Sequence, residues 1–421
     1  MAMRFRLLLL ACLLFPASLA GAVERLVPAE DGALVQALKT AKAGDILRLQ
    51  PGIHRGAVVI ELPLTLDGGG VATIAGDGTG SVVSVNVPGV TLRGLTIIGS
   101  GSSGADRDAG IALGKKAAGA VVRDNRILGN LVGVDVRGSK NALVKGNVIT
   151  GRRDTRINDR GNGVYVWNAP GAKVIGNDIR WGRDGIFVNT SKRNTFSGNR
   201  FRDLRFAIHY MYTHDSVVSG NVSEGNHLGY AIMYSKNVRI EGNISARDRN
   251  QGIMLNYTNK SLISGNWIAG AGKCVFIYNA HKNTFKDNRF EGCKIGIHFT
   301  AGSERNKISG NAFIGNRTQV KYVGTTWVNW SDGGRGNYWS DLAAYDLDGN
   351  GIADTAYRPN DIMDQILWTQ PAARALLGSP AVQLIRWSQM AFPALLPGGV
   401  FDGAPLMTPV APEFPPWERD P

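Results

Sequence analysis

The sequence predicts an all-β protein, a right-handed parallel β-helix with coils of about 22 residues. The first observation is a repeated six-residue pattern of apolar residue, any residue, Gly, Asn, any residue, and usually a second apolar residue. The Asn recurs nine times at spacings of 22 or 23 residues, with one spacing of 30, and a fixed period of this length indicates a solenoid. These residues are Asn125, Asn147, Asn177, Asn199, Asn221, Asn243, Asn266, Asn288 and Asn311.

The second observation is the residue type at and before each Asn. Gly and Asn tolerate the left-handed backbone that a sharp corner needs, and each repeat leaves no length for a pair of helices. Coils joined by such corners stack at about 4.8 Å, so the Asn residues form a hydrogen-bonded ladder. The residue three before each Asn is always apolar and forms the core: Val122, Val144, Val174, Phe196, Val218, Ile240, Ile263, Phe285 and Ile308.

Taken in order, the chain divides into four predicted segments: a signal peptide (1–22), the β-helix with an N-terminal lid (23–326), a C-terminal cap (327–377) and a Pro-rich tail (378–421). The signal combines Arg4 and Arg6 with an apolar run and an Ala-rich end, which predicts export to the periplasm. The lid is a short helix between Asp31 and Asp45, with Leu34, Val35, Leu38 and Ala41 on one face. It would cover the open end of the first coil.

Two intervals between corners lengthen to 30 residues, one with a loop at Ser100–Ala109 and one with the basic segment Arg152–Arg160. Insertions in solenoids map to one face, which is often the binding face, although a plain solvated loop is the favoured explanation. Cys274 and Cys293 lie in neighbouring coils but in different columns, so a disulfide, free thiols and metal ligation all remain open. The net charge of +13 suits an acidic partner, polymer or membrane surface, and export argues against nucleic acid.

A second repeated motif precedes each corner: a small residue, Ile or Val, and then alternating residues. Because alternate side chains of a strand point to opposite faces, we expect two outward columns. The first column runs Tyr165, Phe187, His209, Met233, Met254, Phe276 and His298. The second column runs Trp167, Asn189, Met211, Ser235, Asn256, Tyr278 and Thr300. We call these two columns the strip.

Two kinds of ligand fit such a strip, and ordinary surface residues buried against a partner protein would also explain it. Aromatic residues on β-helices hold sugar rings, whereas thioether and imidazole together suit Cu(I). The distribution favours copper, because five of the six His lie between His209 and His298. The predicted copper ligands are His209, Met211, His214, Met233, Met254 and His298. No coil offers the clear carboxylate pair of a glycoside hydrolase, and only the basic segment Arg152–Arg160 keeps a lyase or epimerase open.

After the last corner, Asp346, Asp348, Asn350 and Asp354 place oxygen atoms at positions 1, 3, 5 and 9 of a calcium-type loop, with Gly at position 6. Position 12 is Tyr357 rather than Glu, so a modest Ca²⁺ site and a plain Asp/Gly turn are both open. Further on, the segment from Val382 to Phe392 is apolar and several prolines follow it. A segment of this kind predicts docking on a partner, here a membrane permease, or packing back along the coils.

The closing segment carries a family resemblance in Gly336-Asn337-Tyr338-Trp339-Ser340-Asp341 and the Asp346–Asp354 loop. With the lid helix and the His/Met coils, the chain resembles the NosD family, periplasmic maturation factors of nitrous oxide reductase. The resemblance implies a non-enzymatic role in copper-site assembly, together with an ABC ATPase and its membrane permease. It supplies no motif that identifies copper ligands.

The leading hypothesis is therefore a periplasmic protein that receives Cu(I) from a small copper chaperone and presents it to apo nitrous oxide reductase. The alternative is a polysaccharide-binding β-helix or one that modifies uronic-acid polymers, which would suit the positive charge.

Overall fold

The structure is a computed structural model, and it describes residues 23–153, 156–300, 302–324, 326–392, 398–409 and 412. The predicted signal peptide, residues 1–22, lies outside the described residues. The predicted parallel β-helix is confirmed, because successive coils pair strand by strand in parallel with in-register partners.

Short strands make up each coil. In chain order they are β1 (Glu24–Val27), β2 (Ile46–Leu49), β3 (Gly52–Arg55), β4 (Val58–Ile60), β5 (Thr65–Ala75), β6 (Val83–Val85), β7 (Thr91–Ile98), β8 (Ala109–Leu113), β9 (Val121–Arg123), β10 (Arg126–Leu128), β11 (Val132–Arg137), β12 (Leu143–Lys145), β13 (Val148–Thr150), β14 (Val164–Trp167), β15 (Lys173–Ile175), β16 (Asp178–Arg180), β17 (Asp184–Lys192), β18 (Thr195–Ser197), β19 (Arg200–Arg202), β20 (Phe206–His214), β21 (Val217–Ser219), β22 (Val222–Glu224), β23 (Leu228–Met233), β24 (Arg239–Glu241), β25 (Ile244–Ala246), β26 (Gln251–Asn256), β27 (Leu262–Ser264), β28 (Trp267–Ala269), β29 (Lys273–Tyr278), β30 (Thr284–Lys286), β31 (Arg289–Glu291), β32 (Ile295–Thr300), β33 (Lys307–Ile308), β34 (Ala312–Ile314), β35 (Val320–Val323), β36 (Trp327–Asn329), β37 (Tyr338–Trp339) and β38 (Gly399–Phe401).

These strands stack in three parallel columns. Strands on either side of each Asn corner form two of them, as in the series β18, β21, β24, β27 and the series β19, β22, β25, β28. The third column is a separate 12-stranded sheet that runs from β4 to β35. We call it the strip sheet, because its outward residues include the strip predicted from the sequence.

The Asn ladder closes the corner between the first two columns. At Asn221, for example, Oδ1 accepts hydrogen bonds from both the backbone N–H (3.0 Å) and Nδ2 (2.9 Å) of Asn199, one coil earlier. Its own Nδ2 donates to the carbonyl oxygen of Phe196 at 2.9 Å. The Gly before each corner has a positive φ, such as 59° at Gly220, and Asp124 takes the same conformation at 56°. Each corner amide is therefore buried with its hydrogen bonds satisfied.

The core follows the predicted apolar column. All nine residues that lie three before a corner Asn are at most 2% exposed. Phe196 stacks on Val218 and Ile263 on Phe285, because parallel strands in register place equivalent positions directly above one another.

The N-terminal lid is helix α1 (Ala33–Thr40), which contacts β1 and β4. Leu34 is buried in the core at 3% exposure, and Leu38 packs against the core. Val35, which the sequence placed on the same face, is instead 38% exposed. An eight-residue helix at the end of a narrow coil presents only a thin stripe to it, so Val35 falls outside the stripe.

The two insertion loops meet on one side of the β-helix. Arg152 donates to Ser102 Oγ at 2.7 Å and to the carbonyl oxygens of Ser100 and Gly101 at 3.1 and 2.8 Å. These contacts place the 100–109 loop and the start of the second insertion side by side above the strip sheet.

Helices and a returning strand complete the C-terminal end. They are α2 (Ile362–Thr369), a 3₁₀ turn (Pro371–Leu376) and α3 (Pro380–Ala391), and β38 then pairs with β36. Asp402 is fully buried and accepts hydrogen bonds from Asn337 N (2.7 Å) and Trp339 Nε1 (2.8 Å). Residues around Asp402, in the segment predicted as a Pro-rich tail, therefore pack into the cap. The sequence has no regular spacing that predicts the packing of this segment into the cap.

Cys274 and Cys293 form a disulfide with a Cα–Cα distance of 5.7 Å. Both side chains are buried. Of the three alternatives that the sequence left open, the structure has the cross-link between neighbouring coils.

Candidate functional site

The strip follows the outward face of the strip sheet, but its register differs from the sequence prediction in one coil. His209 pairs with Ala231 and not with Met233, and Ala231 in turn pairs with Met254. Met233 instead pairs with Met211. The placement of Met233 below His209, and of Ser235 below Met211, was therefore wrong by two residues.

Tyr230 causes this difference. It occupies the core position that Ile208 holds in the previous coil, and it is fully buried. Its O–H donates to the carbonyl oxygens of Asn221 and Ile244, both 2.8 Å away, which satisfies the polar end of the ring inside the core. Because Tyr230 faces inward, Ala231 faces outward and Met233 moves to the second column.

His209 is held by a buried ion cluster. Its Nδ1 lies 3.1 Å from Oδ2 of Asp184, which is fully buried at the start of β17. Arg205 donates to the same carboxylate through Nε (2.8 Å) and Nη2 (2.7 Å). Phe187 and Phe206 flank the imidazole with ring centroids 4.7 and 5.0 Å away. The His209 ring is thereby fixed by one charged group and two aromatic rings.

The charge on Asp184 determines which ring nitrogen of His209 has a lone pair available for a metal ion. Burial opposes ionisation, but the hydrogen bonds from His209 and Arg205 hold the pKa of Asp184 below its usual value. An ionised carboxylate can only accept, so His209 Nδ1 carries the proton that it donates. In the neutral ring the lone pair is then on Nε2, the arrangement by which a carboxylate orients a metal-binding histidine.

The structure brings some predicted copper ligands together and separates others. His209 and Met211 alternate on β20, Met233 is beside Met211 on the next coil, and Met254 follows on β26, all partly buried. His298 shares the column of Met254 but lies two coils further, roughly 10 Å away at the strand spacing. His214 lies at the end of β20 beside Lys192. The group of four is a candidate site, which we call the His/Met cluster.

The surroundings of the two separate histidines disfavour a cation. Burial, Lys321 and Lys273 lower the pKa of His298 to about 4. Burial and Lys236 likewise lower the pKa of His214. Across the described residues, no three His, Cys, Asp or Glu side chains converge as a metal site. The His/Met cluster consists instead of one imidazole and three thioethers, which are ligands for a soft ion such as Cu(I).

Sequence reasoning missed Asp184 and Arg205. Asp184 lies 25 residues before His209, a spacing near one coil, and Arg205 lies immediately before the strand that carries His209. These two spacings were the available signal. It also missed a stack of tyrosines next to the second column. The rings of Tyr212, Tyr234 and Tyr257 stack at 5.0 and 5.1 Å, and all three residues have positive φ values near 50°. Bulky residues rarely adopt this conformation, so the stack is held by the repeating coil geometry.

In the predicted calcium loop, aspartate carboxylates accept hydrogen bonds from the loop's own backbone amides. Asp346 accepts from the amides of Gly349, Asn350 and Gly351, and the last of these bonds, at 2.7 Å, leads the effects that hold the pKa of Asp346 low. Asp354 accepts from Leu347 N at 2.8 Å. These contacts describe an Asp/Gly turn, and Ca²⁺ binding by Asp346, Asp348, Asn350 and Asp354 stays a prediction.

Comparison with solved structures supports the fold. An exopolygalacturonase from Thermotoga maritima superposes with a TM-score of 0.54 at 10% sequence identity, over 71% of this chain and 92% of that protein. At this identity the likeness shows a shared β-helix and carries no argument about activity. In the described part of the chain, none of the helices has the length and apolar character needed to span a bilayer.

Comparison of sequences identifies the family. The family model described as "Periplasmic copper-binding protein (NosD)" matches residues 145–344. The probable ABC transporter binding protein NosD of Stutzerimonas stutzeri is 40% identical over 375 residues, which cover 86% of each chain. The protein of the same description from Pseudomonas aeruginosa is 41% identical over 373 residues, 85% of this chain and 87% of that one. The chain therefore belongs to the NosD family of periplasmic copper-binding proteins.

Proposed function

We propose that this protein is a non-enzymatic carrier of Cu(I) that serves assembly of the copper sites of nitrous oxide reductase. It receives the ion from a small copper chaperone and presents it to the apo-reductase. Membership of a periplasmic copper-binding family supports the copper role. The transporter-binding description of the two relatives favours a carrier over an enzyme.

The observation that carries the proposal is the orientation of His209 by Asp184. Met211 lies on the same coil as His209, Met233 on the next and Met254 on the one after. The thioethers within one coil of an ion bound at His209 Nε2 are therefore those of Met211 and Met233. Cu(I) accepts two or three soft ligands, and a neutral set binds it without the desolvation of an added negative charge. An exchangeable set of this kind suits a cargo that must be released.

An anaerobic titration against a chromogenic Cu(I) chelator tests the site. We expect the triple variant His209→Ala, Met211→Ala, Met233→Ala to lose most of its affinity for Cu(I). The single change Asp184→Asn keeps the shape of the side chain but removes its charge, and we expect about a 10- to 100-fold loss. His227→Ala, at an exposed histidine outside the strip, is the matched control.

His298→Ala in the same titration shows whether the site extends along the column. We expect no loss, because His298 lies two coils beyond Met254. Unchanged affinity in the triple variant would exclude the His/Met cluster as the copper site.

We further propose that an ABC transporter, with its permease and ATPase, is a partner and that α3 docks on the permease. Leu384 and Trp387 on α3 and Phe392 at its end are each about 60% exposed, although they are apolar. An ion pair between Arg386 and Asp361 joins α3 to the cap of α2. This apolar surface is the kind that a partner covers, and docking would hold the protein at the inner membrane.

Truncation after Gly378 is too coarse a test, because it also removes the buried Asp402. The double variant Leu384→Gln, Trp387→Gln changes only exposed residues, and we expect it to fold normally but to lose co-purification with the detergent-solubilised permease. Leu347→Gln is the control, since Leu347 is 85% exposed in the Asp-rich loop. Full recovery of the permease with the double variant would refute docking through α3.

A further inference from the structure

A cavity of about 410 Å³ lies where the two insertion loops meet the strip sheet. The first loop contributes Arg107 to its wall, and the second contributes Arg160 and Asn162. Tyr165, Phe187 and Arg183 form the side towards the strip sheet. The volume is at the lower end of the range of about 300–1,000 Å³ for small-ligand sites. The cavity is a product of the two loops, since both contribute to its wall.

The wall is positively charged. Among its described residues are three arginines and a single carboxylate, that of Asp159. The carboxylate nearest Arg183 is that of Asp184, 3.7 Å from its Nε, and Arg205 already binds Asp184 through two hydrogen bonds. Behind Arg107, Asp135 is paired with Arg137 at 2.7 Å. The excess of guanidinium groups favours an anionic ligand, and planar guanidinium groups bind carboxylates in two-point contacts.

Two aromatic rings form the apolar part of the wall. The centroids of Tyr165 and Phe187 are 5.3 Å apart. The guanidinium carbon of Arg107 lies 5.0 Å from the Tyr165 centroid, and that of Arg183 lies 5.8 Å from the Phe187 centroid. Apolar ring surface therefore lies directly beside positive charge, which suits a ligand with both a flat C–H face and an anionic group.

A buried acceptor in the wall lacks a donor. Asn162 is 7% exposed, and its Oδ1 has no hydrogen-bond partner among the described residues. A buried amide oxygen without a partner is unfavourable, so the site favours a ligand that brings a hydroxyl or N–H group.

We propose that this cavity binds a sugar acid, one or two rings in size, separately from the copper cargo. Its carboxylate pairs with Arg107 and Arg183, one ring face packs on Tyr165 and Phe187, and a hydroxyl donates to Asn162 Oδ1. The site shares Phe187 with the surroundings of His209, and its Arg183 lies next to Asp184. A ligand here binds beside the His/Met cluster and leaves its thioethers uncovered.

Isothermal titration with galacturonate and its dimer tests the proposal, with galactose and acetate as comparison ligands. We expect saturable binding of the sugar acid, and binding of galactose and of acetate at least about tenfold weaker, because each lacks one half of the recognition. Arg107→Gln and Asn162→Ala should each weaken the sugar acid by about tenfold. Arg239→Gln, at an exposed arginine paired with Glu241, should bind like the natural protein.

Several outcomes overturn the inference. If galactose binds as tightly as the sugar acid, the arginines have no role in recognition. If acetate binds as tightly as the sugar acid, the ring face and Asn162 have none. If none of the four ligands binds, the cavity is not a binding site. If Arg107→Gln does not give the circular dichroism spectrum of a folded β-helix, Arg183→Gln replaces it in the same titration, because Arg183 lines the side of the cavity towards the strip sheet. Cu(I) affinity should be unchanged in Asn162→Ala, which separates this site from the proposed copper function.

Discussion

Asp248 is a buried carboxyl group inside the coils, and it should make the stability of the protein depend on pH. It is fully buried, and its oxygens accept from Ser223 Oγ and Ser245 Oγ at 2.6 Å and from Asn226 N at 2.8 Å. All three donors are neutral. Burial therefore dominates and raises the pKa of Asp248 from 3.8 to about 6.

The sign of the effect follows from the two pKa values. Between pH 4 and pH 6 the folded protein binds more protons at this position than the unfolded chain, so the free energy of unfolding falls as the pH rises. Above about pH 6 both states are ionised and the loss is complete. At about 1.4 kcal/mol per pH unit, a difference of about two pH units corresponds to about 3 kcal/mol.

The change Asp248→Asn removes this dependence, because the amide stays neutral while its oxygen can still accept from Asn226 N. We expect the variant to gain stability over the natural protein by up to about 3 kcal/mol between pH 4 and pH 7. Thermal melts of both proteins across this range measure the difference, with Asp332→Asn at an exposed carboxylate as control. A difference in melting temperature that stays constant with pH would refute the assignment of a raised pKa.

Three further predictions concern the C-terminal half. Asp402→Ala leaves the buried donors Asn337 N and Trp339 Nε1 unpaired, together with the half-buried Ala404 N, so we expect a loss of several kcal/mol in chemical denaturation, at about 1–3 kcal/mol per buried donor. If the Asp346–Asp354 loop binds Ca²⁺ with modest affinity, millimolar Ca²⁺ should raise the melting temperature and a chelator should reverse this; an unmoved transition excludes the site. Replacing Cys274 and Cys293 by Ser should cost about 2–4 kcal/mol, and added reductant should then leave the variant's transition unchanged.

The fold could be predicted because every coil of a solenoid makes the same contacts with residues at the same spacing in the sequence. A corner Asn that bonds to the Asn one coil away needs a constant spacing, and the buried apolar residue three positions earlier follows from the same geometry. The period of the sequence therefore predicts both the Asn ladder and the buried apolar core, without knowledge of any contact outside the repeat.

The candidate site was predictable only in part. The segment Gly229-Tyr230-Ala231-Ile232 offers two small-apolar pairs, and only the packing of Tyr230 in the core decides which residue faces outward. The contact between Asp184 and His209 depends on side-chain direction across two coils, which a spacing does not give. Asp402 reaches Asn337 from 65 residues away, outside any repeat.

The position of Asp402 has a consequence for how the protein behaves at high concentration. The Asn ladder is open-ended by nature, since each coil presents N–H groups that a further coil can bind, and unpaired β edges invite growth by addition of other chains. At the last rung, Asn337 N donates to the Asp402 carboxylate, so the position that the next Asn would take is already filled by a buried group. Helix α1 covers the opposite end. The molecule is thereby closed at both ends against end-to-end assembly into fibres.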